Sequence, residues 1–381
     1  MVIILNTSNL YVGGGVQVAL SFLNVIKNIY TKNIYHIFLS TAIADQIIQK
    51  EFPDNMHFYI IEKSPSAIKS RNKIVKKLKL LENRIDPDVV FSVFGPTYWK
   101  PKALHIMGFA NGWLYNPKSI AYTRLKLFKR MQMRMFCLYQ EYYLKRDANF
   151  IIVETHDAKD KISKILSIET NKIFVVGNTC SSIFKDKKYI EKGYKHYINL
   201  PKKDKNEYRL LYIAHNHPNK NLEIINEVCD LLSEKNVNFV VTIDNESYKS
   251  IFSNNLRVTN LGPVVHESCP SIYSQCDFLF APTLLETFSA SYPEAMSMNL
   301  PILTSKYSFA VDVCQNSALY FDPTNPMDIA KKINTLIDNT DLQKSMIRSG
   351  KAILSQMETG KTRAEKYLKI CEKQYKTLKA Y

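Results

Sequence analysis

The sequence predicts an α/β protein of two domains, each built on a parallel β-sheet covered by helices. Two observations carry this. Short apolar runs, several continuous and β-branched, alternate with segments of helical length, as they do where strands are covered on both faces. The 381 residues also exceed the roughly 250–300 at which one hydrophobic core stops growing. A content of 46% hydrophobic and 23% charged residues is ordinary globular usage, which excludes a disordered, a collagen-like and a disulfide-scaffold protein.

Taken in order, the predicted strands of the first domain are 2–5, 35–39, 57–61, 89–93, 103–107, 150–153 and 173–176. The first has only five apolar residues before Asn6 and no positive charge ahead of them, so it reads as a buried strand and not as a secretory signal. A polar, Lys-rich stretch from Lys185 to Glu207, with Pro201 inside it, reads as a linker. This gives an N-terminal domain over 1–184, a linker over 185–207 and a second domain over 208–361. In the second domain strands are predicted at 209–214, 239–243, 257–259, 278–281, 302–304 and 318–321, with helices at 222–234, 271–275, 293–298 and 326–337. Asn325 before Pro326 is a legible helix start. In the tail Ala364, Tyr367, Leu368 and Cys371 share a helical spacing, so it should form a helix with one buried stripe.

Charge is the unusual feature. Lys and Arg number 51 against 35 Asp and Glu, a net of +16, which speaks of anionic partners: a membrane, a nucleic acid or phosphorylated ligands. Residues 1–200 carry +15, residues 201–350 carry −4 and residues 351–381 carry +5. Two segments hold much of the excess. From Lys69 to Arg84, Arg71, Lys73, Lys76, Lys77 and Lys79 interleave with Ile74, Val75, Leu78, Leu80 and Leu81. From Lys118 to Arg146, Arg124, Lys126, Lys129, Arg130 and Arg134 stand among large apolar residues, with Glu141 the only acid. Such runs suit a helix on an anionic membrane surface, and equally a solvated basic face over a buried stripe. No run approaches the ~18 apolar residues of a membrane span, so any membrane contact would be peripheral.

The seven cysteines form an odd set with no CxxC pair and no His at metal spacing, which points to a reducing cytoplasm and to neither a disulfide framework nor a zinc site. Asp86-Pro87-Asp88 has a D-x-D form, but just before a strand it reads as punctuation. No nucleic-acid motif is present, and the −4 of residues 201–350 breaks any continuous binding track, so no nucleic acid is expected.

Three segments could carry chemistry. Gly13-Gly14-Gly15 follows the first strand and opens an apolar-periodic segment, either a tight turn or a place where backbone N–H groups meet an anion at a helix start. The segment LLYIAHNHPNKN puts His215, His217 and Lys220 at a strand exit, where a Lys and a His suit a diphosphate; surface polar residues or a metal pair are the other readings, the metal the least favoured. PTLLETFSASYPEAMSMNLPILTS holds Glu286 just past a strand and Glu294 in the helix after it, with Thr287, Phe288 and Ser289 in the small-residue loop between. A strand-end carboxylate beside free amides suits sugar hydroxyls, and one in a first helical turn suits ribose hydroxyls. Two Glu at that spacing are also common on surfaces.

PTLLETF followed by PEAM resembles the E-x7-E signature of glycosyltransferase family 4, the Lys220 region resembles that family's G-R-x-x-P-x-K-N, and Gly14-Gly15 its N-terminal glycine loop. The resemblance runs in order over nearly the whole chain and is strongest from about 209 to 335. It implies a GT-B fold: two Rossmann-like, doubly wound parallel-sheet domains facing a central cleft, with the terminal helix 362–381 packed back on the first. It implies a retaining, metal-independent hexosyltransferase that moves a sugar from a nucleoside-diphosphate sugar to a hydroxyl of a lipid-linked oligosaccharide or a surface polysaccharide precursor, as in lipopolysaccharide or capsule synthesis. No cofactor is implied beyond that donor substrate. Glu286 would be the catalytic-site residue; Gly14, Gly15, His215, Lys220, Thr287, Phe288, Ser289 and Glu294 would bind the donor. The enzyme would work in the cytoplasm, peripheral on the inner face of the membrane.

This chain departs from the family pattern at several places. His215 stands where the family usually has Arg, Thr287 and Ser289 replace glycines, Gln17 stands where an acid is common, and Asn299 stands where Gly is usual, a swap that Asn tolerates because it accepts φ > 0. The family's N-domain His is not evident; His105 reads as a packed strand residue. Alternatives are a nucleotide-sugar epimerase of the same fold, a basic phosphate-polymer binder, and a sugar-binding protein without activity.

Overall fold

Seven parallel strands make the first sheet: β1 (Val2–Thr7), β2 (Ile34–Ser40), β3 (Met56–Ile61), β4 (Val89–Ser92), β5 (Leu104–Gly108), β6 (Phe150–Val153) and β7 (Ile173–Val175), in the order β3-β2-β1-β4-β5-β6-β7. The computed structural model describes residues 1–11, 13–29, 32–253 and 255–380. Ile3, Ile4 and Leu5 on the central strand are fully buried, which is why that run is continuously apolar instead of alternating.

The chain divides into two units. Unit 1 holds Met1–Tyr115, Met131–Gly177 and Glu358–Tyr381; unit 2 holds Asn116–Arg130 and Asn178–Met357. In unit 1 the last helix, Gly360–Lys379, starts at a Thr359–Thr362 capping box and buries Ala364, Tyr367, Leu368 and Cys371. Tyr367 meets Phe22 edge to face at 5.5 Å, and Arg363 Nη2 donates to Ser21 Oγ at 3.0 Å, fixing this helix on the helix Gly14–Ile26. Tyr381 lies outside the described residues.

Unit 2 carries a second parallel sheet: β8 (Tyr208–Tyr212), β9 (Val237–Val241), β10 (Val258–Asn260), β11 (Phe278–Ala281), β12 (Ile302–Ser305) and β13 (Ala318–Phe321), in the order β10-β9-β8-β11-β12-β13. The Asn325 side chain accepts from the N–H of Met327 and Asp328, capping the helix Pro326–Asp338. Asn299 adopts φ 58, the left-handed conformation that Asn tolerates. Each sheet has the doubly wound, Rossmann-like order, with strand sequence reversing at one point, between β1 and β4 and between β8 and β11.

The unit boundaries differ from those the sequence suggests. Residues 185–207 are not a free linker: Ile198 N donates to Ser271 Oγ at 3.1 Å and Leu200 N to Gln275 Oε1 at 3.0 Å, which anchors the stretch in unit 2. Asn116–Arg130, assigned by sequence to the first domain, groups with unit 2 because Ser119 Oγ donates to Leu284 O at 3.2 Å and Arg124 Nη2 approaches Asn221 Oδ1 at 3.4 Å. The charge imbalance therefore narrows to +11 for unit 1 and +5 for unit 2.

Three residues weighed for chemistry are structural. Asp86 ends the helix Arg71–Ile85 at φ 51, and the Asp88 carboxylate accepts from Val2 N at 2.9 Å and from the Tyr375 hydroxyl. His105 is buried, with Nδ1 donating to Asp147 O at 2.7 Å and Nε2 accepting from Ser92 Oγ at 2.8 Å; burial lowers its pKa to about 4.

Candidate functional site

In an open parallel sheet the loops leaving the carboxyl ends of the strands diverge where strand order reverses, and the space between them is where ligands bind. In unit 2 that place lies between β8 and β11, which pair directly through Leu210 with Phe278 and Leu211 with Leu279. The two loops are knitted together by Asn219. Its carbonyl accepts from Leu284 N at 2.7 Å and Thr283 Oγ1 at 3.0 Å, and its Nδ2 donates to Leu285 O at 2.7 Å. The turn Pro218–Lys220 ends at Asn221, left-handed at φ 54, whose side-chain amide donates to Pro323 O at 2.8 Å and Pro282 O at 3.3 Å. Tyr212 OH holds Lys220 O at 2.9 Å.

These bonds set Lys220 opposite Glu286, and the two side chains form an ion pair with 16% and 17% of their surface exposed. His215 is half-shielded beside them. Burial lowers its pKa first, and the charges of Lys220 and His217 lower it further against the opposing pull of Glu286. The imidazole is therefore neutral at pH 7.

Glu294 sits on the helix Ser291–Ser297, which begins earlier than the sequence suggests. Its carboxyl group is buried, accepts from Tyr273 OH at 2.9 Å through Oε2, and has His266 Nε2 at 3.9 Å from Oε1. Burial raises its pKa to about 7, with the Tyr273 hydrogen bond pulling the other way. Thr287, Phe288 and Ser289 link the two carboxylates. Phe288 packs on the unit 2 core, and among the described residues no acceptor pairs with the backbone N–H of these three.

The structure thus brings together His215, Lys220 and Glu286, with Thr287, Phe288, Ser289 and Glu294 on the same loop and helix. Gly14 and Gly15 belong to unit 1, at the start of the helix Gly14–Ile26, where Gly13 supplies the φ of 76 needed to turn out of β1. A Cβ at Gly14 would meet no atom within 4 Å, so the backbone there is open to approach. Sequence reasoning assigned no role to Asn219 or Tyr273, and placed Arg124 in a basic surface run and not beside Asn221. Asn219 sits in the LLYIAHNHPNKN segment and was within reach; a lone Tyr 21 residues before Glu294 gave no signal. A cavity of about 320 Å³ bordered by Tyr208 and Phe278 opens at the opposite edge, since these residues begin β8 and β11. Among the described residues no group of three or more His, Cys, Asp or Glu is placed to hold a metal ion.

Residues 195–353 match the family described as Glycosyl transferases group 1. An uncharacterised glycosyltransferase of Methanocaldococcus jannaschii is 26% identical over 148 residues, 37% of this chain and 41% of that protein, so the chain matches about two-fifths of its curated relative's length. A glycosyltransferase from Rickettsia africae superposes with a TM-score of 0.69 at 14% identity over 98% of each chain. Anabaena HepE, crystallised with UDP and glucose, superposes at 0.65 with 14% identity over 98% of this chain and 100% of its own. The fold of the two units is that of GT-B glycosyltransferases, and a match to the group 1 glycosyltransferase family lying wholly within unit 2 supports glycosyl transfer.

Proposed function

We infer that the chain is a retaining glycosyltransferase that takes a sugar from a nucleoside-diphosphate sugar and places it on a hydroxyl of a lipid-linked oligosaccharide or surface polysaccharide precursor. The Lys220–Glu286 pair at the reversal point of the unit 2 sheet is the observation that carries this reading. Lys220 neutralises the diphosphate, and its charge is worth most as the bond from the anomeric carbon to the phosphate oxygen breaks and the electron pair leaves with the nucleotide. Glu286 holds hydroxyls of the donor sugar at the reacting centre. The amides of Phe288 and Ser289, with Thr287 beside them, face sugar or phosphate, Glu294 takes the ribose hydroxyls, and Gly14 and Gly15 leave their backbone open to donor phosphates. The acceptor oxygen attacks the anomeric carbon from the face the nucleotide leaves, and its proton passes to the departing phosphate. No metal ion or side-chain nucleophile is needed.

The enzyme works on the cytoplasmic side of the membrane, held peripherally by its basic segments. No described helix is long and apolar enough to cross a bilayer. A thermal-shift panel of UDP, GDP and ADP with their sugars tests the reading, because a bound donor stabilises in proportion to its affinity. One nucleotide should raise the melting temperature and its sugar should be consumed only when acceptor is present. Conversion of the free nucleotide sugar into an isomer would make the chain an epimerase, and no shift with any nucleotide would overturn the reading.

A further inference from the structure

A second concave site lies within unit 1, on the outer helical layer. The helices Arg71–Ile85 and Leu127–Asp147 and the segment 98–100 border an open cavity of about 560 Å³, within the size range of ligand sites. Five cations line it, Arg71, Lys76, Lys79, Lys100 and Arg146, and no acid does. Like charges gathered this way repel one another unless an anion relieves them.

The two guanidinium groups are fixed by their own chain. Arg71 donates through Nε to Pro65 O at 2.9 Å and through Nη2 to Ser66 O at 2.8 Å, and stacks over the Tyr98 ring at 4.6 Å. Tyr98 is held at φ 56, an uncommon conformation for a bulky residue, and its ring is buried against Tyr139 and Tyr143. Arg146 is paired with the buried Asp147 and lies over Tyr143 at 4.4 Å. Lys76, Lys79 and Lys100 form no salt bridge among the described residues; Asp147 attracts Lys100 electrostatically, and Lys76 and Lys79 have no such partner. Two guanidinium groups held by their own chain and three exposed ammonium groups suit a phosphoryl group.

The same helix carries a second face. Met131, Met135, Leu138 and Tyr142, spaced 4, 3 and 4 residues apart, are 57–69% exposed. This stripe lies about 80° round the helix from the face of Tyr139, Tyr143 and Arg146 that borders the aromatic cluster and the cavity. A phosphate site beside an exposed, Met-rich apolar stripe has the chemistry of a lipid: charged head in one, chains along the other.

We propose that this cavity binds the phosphate headgroup of an anionic membrane lipid while the stripe from Met131 to Tyr142 enters the acyl layer. The proposal rests on the peripheral membrane part of the functional reading and gives it a defined site; it is independent of the donor chemistry in unit 2.

The test compares wild type, K76Q/K79Q/K100Q and a charge-matched control, K185Q/K187Q/K192Q, on phosphatidylcholine vesicles with and without phosphatidylglycerol. All six lysines are exposed, so the folds should hold, which circular dichroism and unchanged nucleotide-induced thermal shifts would verify. Wild type should partition onto the anionic vesicles, the cavity variant should lose more than about tenfold of that partition, and the control should keep it. A second variant, M135S/L138S, should lose the partition that survives at high salt. Equal losses in the cavity variant and the control would overturn the site while leaving membrane association standing. No partition by wild type would overturn both while leaving glycosyl transfer untouched. Protection by inorganic phosphate, lost in the cavity variant, without vesicle binding would make the ligand a soluble anion and refute the lipid. A concentration-dependent dimer abolished by M135S/L138S would assign the stripe to a second copy of the chain and overturn the lipid role.

Discussion

Lys220 Nζ and Glu286 Oε1 form an ion pair that joins the loop after β8 to the loop after β11. Both side chains are largely shielded, so without ligand each is the other's main compensation, and a donor diphosphate would have to draw Lys220 partly away from Glu286. The two residues should therefore fail in different ways. Glu286→Ala should reduce transfer by at least about 10²–10³-fold while nucleotide binding survives, because the lost contact is to the sugar. Lys220→Ala should weaken nucleoside-diphosphate binding as well as slow turnover. Single-turnover kinetics with calorimetric titration of the nucleotide separates the two, and an E286A enzyme turning over at the parent rate would remove Glu286 from the site.

His215 should make diphosphate binding depend on acid. Its pKa lies below the ordinary value of 6.5 through burial and the neighbouring Lys220 and His217, so it is neutral at pH 7 and gains charge only as pH falls further. Affinity for the diphosphate should rise as pH falls below the ordinary imidazole range and stay flat at neutral pH and above. His215→Arg supplies permanent charge and more donors. It should bind the nucleoside diphosphate more tightly at pH 7.5, by about tenfold, and should flatten the acid limb of the profile.

Glu294 predicts a second pH effect, on stability this time and of the same sign, since it too is most favourable in acid. Its carboxyl group has a pKa of about 7 in the folded chain against an ordinary 4.5, through burial among Tyr273, His266, Cys180 and Cys269. Between those values the native state holds a proton that the unfolded state has released, so stability is full below about pH 4.5 and falls as pH rises through about 7. Glu294→Gln removes that titration. Relative to wild type it should gain stability at pH 8 over pH 5, by an amount on the order of 3 kcal/mol at most, in urea unfolding at the two pH values. The same variant should bind nucleotide more weakly at pH 8, since a neutral amide is a poorer partner for two ribose hydroxyls. A gain in stability with a loss in binding is the mark of a residue kept for function.

Much of this was legible because the two sheets are parallel and buried on both faces. Continuous apolar runs mark such strands, and the ranges 278–281 and 318–321 coincide with β11 and β13 to the residue. Asn325 and Asn299 were readable for a related reason: capping and left-handed turns are chosen locally by the residue that fills them. What escaped was set by distant partners. The assignment of Asn116–Arg130 to unit 2 depends on Ser119 finding Leu284, 165 positions away, and nothing in the basic run around it announces that bond. The aromatic bed under Arg71 likewise unites residues 71, 98, 139 and 143, which are neighbours only after the helices have packed.

Asn221 offers a test of how far the positioning of Lys220 depends on its neighbour. The residue is left-handed, and its side-chain amide ties the turn to the carbonyls of Pro282 and Pro323 on the far side of the site. Asn221→Gly keeps the conformation and loses these two hydrogen bonds together with the one accepted from Arg124; Asn221→Ala loses the same bonds and adds the left-handed penalty of about 1 kcal/mol or more. Both should be less stable than wild type, Ala more than Gly. If the bonds serve only stability, the Gly variant will keep its nucleotide affinity once folded. If they hold Lys220 against Glu286, as the shared turn implies, the Gly variant will lose nucleotide affinity at a temperature where circular dichroism shows it fully folded, and adding Lys220→Ala on top will cost little more. Non-additivity of the pair N221G and K220A in nucleotide affinity, read from a double-mutant cycle, is the expected result, and strict additivity would make Asn221 a structural residue alone.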